Sequence, residues 1–177
     1  MVAKVPKPTD SVQALVDGWE RQRPDLAPWP LEIFGRLQRI SAQLLRSSEA
    51  LIAPLDLTWE AFSLIVTLRR SGPPFELRPT DILRDSLLSS GAVTNRIDKV
   101  ERLGLVERVP DAGDRRSLVV RLTPKGRLVA DEAIARQFGG LAEILSALAD
   151  DEREQLIRLL AKLLGALEQR DQVKTKA

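Results

Sequence analysis

Two runs of strand composition, residues 105–109 and 117–122, stand in a chain whose other periodic segments are helical, and the seven residues PDAGDRR join them. Asp and Gly in that connection are what a hairpin turn needs. Directly after the second run, Thr123 and Pro124 give a cap hydroxyl and a proline at the first helical position, a strong helix start. A small hairpin is therefore enclosed between helices, with Arg115 and Arg116 at its tip.

The segment before the hairpin is made of short elements. Thr80 is a plausible cap for a helix over residues 81–87 with Ile82 and Leu83 turned inward. Ser89 or Ser90 caps a second helix running to Leu103 before Gly104. Two short helices with a three- or four-residue connection fit a helix-turn-helix. With Val93 at zero and about 100° per residue, Ile97 and Val100 fall within about 40° of it and form a buried stripe. Gly91, Thr94, Asn95, Asp98 and Arg102 share the opposite face. Small and polar residues at the start of a helix suit entry into a major groove, with amides aimed at phosphate. The alternative for this face is ordinary solvation. Arg96 borders the buried stripe, where it needs a carboxylate, a carbonyl or an anion, or else snorkels.

Followed by a hairpin, the pair predicts a mainly α fold with a small β-hairpin wing (α+β), a winged helix-turn-helix. Arg115 and Arg116 are placed to reach a minor groove or phosphate. Asp114 or Asp111 is expected to hold an arginine fork there. Thr80, Ser89 and Ser90 at the helix starts join Thr94, Asn95, Arg102, Arg115 and Arg116 as DNA-contacting candidates, with Asp114 positioning the wing. Residues 76–127 hold eleven Lys or Arg against eight acids, a weak excess that matters only where the bases share a face.

On either side lie longer patterns. Thr9 or Asp10 can cap a first helix carrying Val12, Leu15, Val16 and Trp19. A second runs over residues 31–52 with Ile33, Leu37, Ile40, Leu44 and Leu51. A third follows Thr58 and is stopped by Gly72, Pro73 and Pro74. After Pro124 a helix is expected to about residue 148, and Asp151 with Glu154 resembles a capping box before a leucine-rich helix. These apolar stripes either complete one core or form a homodimer interface. The expected organisation is 1–55, N-terminal helices for dimerisation and a possible ligand pocket; 56–123, the DNA-binding domain; 124–171, C-terminal dimerisation helices; and 172–177, a disordered tail.

Composition removes much chemistry. Without cysteine or histidine the chain has no disulfide, no thiol nucleophile, no Ser-His-Asp triad and none of the usual zinc sites, which leaves only an all-oxygen metal site open. Its acids are scattered over helix starts and charge-alternating faces, so neither catalytic residues, metal nor cofactor is expected. Apolar stretches are too short to cross a bilayer. The opening MVAKVPKPTD has no apolar segment after its basic residues, which points to a cytoplasmic location.

The stretch SSGAVTNRIDKVERLGLVERVPDAGDRRSLVVRLTPKG (89–126), with Asp114-Arg115-Arg116 in the wing and Leu-Thr-Pro-x-Gly at 122–126, resembles the MarR family of winged helix-turn-helix regulators. LRPTDILRDSLL fits the first helix of the pair. The resemblance implies a homodimer joined through terminal helices, a pseudopalindromic double-stranded operator, repression, and release by a small ligand. Within the family the chain is most similar to the urate-responsive HucR/PecS-type subgroup. Trp19, Arg96 and Arg108 match that subgroup's ligand residues, and Glu60 stands where it has an aspartate. This implies a small organic anion such as urate or another purine. The competing reading makes Trp19 a core anchor and Arg108 an ion-pair partner on a wing strand. A winged-helix module that docks a protein, without an anionic effector, is the alternative function.

Overall fold

The computed structural model describes residues 9–84, 90–114 and 116–175. These form two compact units, divided between Trp59 and Glu60. In the first, α1 (Ser11–Gln22) packs on α2 (Trp29–Ile52), which ends in the short 3-10 turn Ala53–Leu55. Asp10 is the cap: its carboxylate accepts the Val12 and Gln13 amides at 2.9 and 3.1 Å and also takes Arg36 Nε of α2 at 2.8 Å. Val12 and Val16 are buried, but Leu15 and Trp19, expected on the same stripe, are each 45% exposed.

The second unit runs through α3 (Trp59–Arg70, from its second residue), β1 (Glu76–Leu77), α4 (Pro79–Arg84), α5 (Ser90–Arg102), β2 (Val106–Pro110), β3 (Leu118–Leu122), α6 (Pro124–Leu145) and α7 (Asp150–Thr175). Its core gathers Leu64, Ile65 and Leu68 of α3, Ile97 and Val100 of α5, and Val106 and Val120 of the strands, all buried. The antiparallel sheet has the order β1-β3-β2, with Glu76 opposite Arg121 and Arg108 opposite Val120. The architecture is the expected one, mainly α with a small β wing. Strand β1 was not anticipated, because two residues carry no alternation to read.

Several local expectations shift. Thr80 does not cap α4 but is its second residue, because Pro79 takes the first position and the Asp81 and Ile82 amides donate to the Arg78 carbonyl at 2.9 and 3.1 Å. Helix α6 stops at Leu145 rather than near residue 148, where the Ser146 hydroxyl donates to the Glu143 carbonyl at 2.7 Å. The capping contact expected from Asp151 and Glu154 lies two residues earlier. The Ala149 amide donates to the Glu152 carboxylate at 2.9 Å, so α7 begins at Asp150. That helix continues to Thr175, four residues into the segment expected to be a tail, since no Gly or Pro interrupts it after Gly165.

Candidate nucleic-acid interface

Helix α5 buries Val93, Ile97 and Val100 and exposes Gly91, Thr94, Asn95, Asp98 and Arg102, the division its periodicity predicts. It ends at Arg102, and Gly104 just beyond has a φ of +69°, a left-handed conformation that Gly adopts without steric cost. The chain turns there directly into β2, so α5 and the hairpin share one junction. Thr123 fixes the far side of that junction. Its hydroxyl oxygen accepts the Gly126 amide at 2.9 Å, as the cap of α6, while the hydroxyl donates to the Gly104 carbonyl at 2.7 Å. A Cβ at Gly126 would collide with the Leu105 carbonyl oxygen, so the Thr-Pro-x-Gly sequence is what lets α6 leave so close to β2.

Two acids brace the described part of the wing connection. The Asp114 carboxylate accepts the Arg116 amide at 3.1 Å and the Ser117 hydroxyl at 2.8 Å, and these two bonds hold its carboxyl below the usual carboxylate range, the hydroxyl contributing more. Among the described residues Asp114 braces the backbone of the turn; Arg115, one of the two arginines it is expected to hold, lies outside them. Asp111 is the acid that holds a guanidinium, that of Arg78, at 2.7 Å from Nε. The Gly113 amide and then Arg78 hold the Asp111 carboxyl low. Arg116 is exposed. Arg115 and Ser89 lie outside the described residues, as does the side chain of Ser90; Thr80 is exposed at the start of α4.

The four residues matched to a ligand are divided between the units. Trp19 belongs to the first, where it lines an apolar cleft of about 400 Å³ with Leu26, Ala27, Pro28, Pro30 and Leu31. Those walls suit a flat ring and supply no countercharge. Glu60, Arg96 and Arg108 belong to the second unit, where Glu60 is exposed and Arg96 half-buried. The Arg108 guanidinium is ion-paired with both Asp98 and Glu101 of α5, and its amide donates to Glu101 at 3.1 Å. It is thus the ion-pair partner that the competing reading made it, and it ties β2 to α5. Two signals escaped the sequence reading. Arg78 was counted only as a charge, and the carboxylates serving Arg108 lie 7 and 10 residues away from it.

A helix pair followed by a braced hairpin, with a polar helix face turned outward, defines the class of winged helix-turn-helix proteins. Residues 55–117 match the model of the MarR family. The chain is 30% identical over 152 residues to the HTH-type transcriptional regulator PecS of Dickeya dadantii, covering 86% of this chain and 92% of that protein. It is 31% identical over 134 residues to the transcriptional repressor MprA of Escherichia coli, with 75% of each covered. A mutant MarR from E. coli, solved in complex with operator DNA, shares the fold at a TM-score of 0.65 and 24% identity over 82% of this chain and 97% of that one. The chain belongs to the MarR family and is a DNA-binding transcriptional regulator, not an enzyme. Among the described residues no single helix is long and apolar enough to cross a membrane.

Proposed function

We propose that the chain is a repressor that binds a pseudopalindromic operator as a homodimer. Each α5 enters a major groove and each wing reaches the neighbouring minor groove or phosphates. The observation that carries this is the two-sided α5: Val93, Ile97 and Val100 are buried while Thr94, Asn95 and Arg102 are exposed beside the junction that leads into the wing. In this reading Thr94, Asn95 and Arg102 read base edges. Thr80, Ser89 and Ser90 meet phosphate at the helix starts, and Arg115 and Arg116 act from the wing. Residues 1–55 and 124–171 serve dimerisation, and 56–123 binds DNA.

The test begins by footprinting the protein on the upstream region of its own gene, then measures anisotropy on that duplex and on a scrambled one. Asn95→Ala is expected to weaken operator binding about tenfold while sparing scrambled DNA. Arg116→Ala is expected to weaken both and to reduce the salt slope by about one. Unchanged operator affinity in both variants sinks the assignment.

The effector proposed is a small organic anion, urate or another purine, with Glu60, Arg96 and Arg108 of the second unit as its candidate partners; it draws on the similarity to PecS-type regulators. Within the second unit, such an anion at Arg108 must compete with Asp98 and Glu101, both on the recognition helix. That competition is how binding would reach α5 and lower operator affinity. Footprint protection that urate and related purines all leave intact removes the effector and leaves the repressor.

A further inference from the structure

A carboxylate in a loop that approaches DNA is normally unfavourable, because it repels phosphate. Asp111 nevertheless sits in the wing connection, its side chain only 13% exposed and both its oxygens engaged. Oδ1 accepts the Gly113 amide at 2.8 Å, and Oδ2 accepts two guanidinium nitrogens of Arg78, at 2.7 and 2.6 Å. The Asp111 amide donates to the Ser117 carbonyl at 2.9 Å, across the base of the turn that carries Arg116.

Arg78 is the residue between β1 and α4, so this pair joins points 33 residues apart. The same short segment is fastened to the wing a second time, where the Glu76 carboxylate accepts Arg121 Nε of β3 at 2.7 Å. One tie is at the root of the hairpin and the other near its tip. A two-stranded hairpin has little rigidity of its own. Fastened to the start of α4, Asp111 and the Gly113 amide it binds are held in place before DNA arrives, and less entropy is lost on binding.

We propose that Asp111 and Arg78 are a positioning pair: their ion pair fixes the wing connection against the start of α4 and so sets where Arg116 meets DNA relative to α5. This rests on the reading of Arg116 as a DNA contact. Neither residue needs to touch DNA for the pair to act, and Asp111 in particular acts through Arg116.

Electrostatics and positioning give opposite signs for one substitution. Asp111→Asn keeps an oxygen for the Gly113 amide but removes the ion pair and one negative charge near phosphate. A carboxylate that only repels would make this variant bind more tightly; the positioning role makes it bind the operator about five- to thirtyfold more weakly. Asp111→Glu, which keeps the charge and the capacity to pair with Arg78, is expected to recover most of that loss. Combined with Arg116→Ala, the Asn substitution should add less than about a further twofold, since it acts through the same contact. The unfolding temperature should stay within about 2 °C of the parent, which separates positioning from loss of fold. Tighter or unchanged operator binding by Asp111→Asn, or losses that simply add to those of Arg116→Ala, overturns the inference. An Arg116→Ala variant with parental affinity overturns the wing reading instead, whatever Asp111→Asn does.

Discussion

Thr123 and Gly126 show how much one short motif is asked to do. The threonine caps α6 and donates to the Gly104 carbonyl, while the glycine makes room for the Leu105 carbonyl. Thr123→Ala removes both bonds and is expected to destabilise the protein by about 1–2 kcal/mol in urea unfolding. Gly126→Ala is expected to cost more than about 2 kcal/mol, because the neighbour in the way is backbone and cannot rotate aside. An alanine at 126 with parental stability would mean that α6 and β2 separate easily. The cap role of Thr123 is readable from Thr-Pro alone. The need for Gly126 is not, since it arises from the approach of a strand end twenty-one residues earlier in the chain.

At the scale of elements, the short polar links decide how helices and strands are joined. Asp10 caps α1 and also binds Arg36 of α2, and the Arg36 hydrogen bond is the leading reason its carboxyl titrates below the usual value of 3.8. A carboxyl whose folded pKa is depressed contributes stability that is fully present above its unfolded pKa and is lost as pH falls through the folded value. Asp111 and Asp114 have the same sign. Thermal unfolding followed from pH 7 downward should therefore show this contribution intact to about pH 4 and declining below it. Asp10→Asn should flatten part of that decline; an acid limb identical to the parent's would show that the Asp10 link to α2 contributes nothing. Most elements here are legible beforehand. Periodicity places Val93, Ile97 and Val100 inward, and the turn residues of PDAGDRR announce the hairpin. What sequence does not carry is pairing between distant residues: Arg78 with Asp111, Arg108 with Asp98 and Glu101, and the two-residue strand that exists only because β3 offers it an edge. The ligand residues are the extreme case, since their argument rests on resemblance and Arg108 already has two carboxylates.

For the whole molecule the governing fact is apolar surface that the single chain leaves uncovered. Helix α7 exposes Ile157, Leu159, Leu160, Leu163, Leu164 and Leu167, and α6 exposes Leu128 and Phe138. Soluble chains rarely keep so many large apolar side chains in water along one helix, and a second copy of the same chain offers the matching surface through a two-fold axis. Under the proposed dimer these residues are the interface, and DNA affinity depends on them because two half-sites are gripped together. Leu160 and Leu164, 41% and 57% exposed and one turn apart, share a face of α7. Replacing both with glutamate puts charges where apolar contact is needed. The parent is expected to sediment at twice the mass of its chain and the variant at the mass of one. With helix content by circular dichroism unchanged, the variant's operator affinity should fall about a hundredfold or more through loss of simultaneous engagement. A variant that stays dimeric moves the interface off this face of α7. A monomer that keeps full operator affinity removes the need for a dimer at the operator and, with it, the pseudopalindrome.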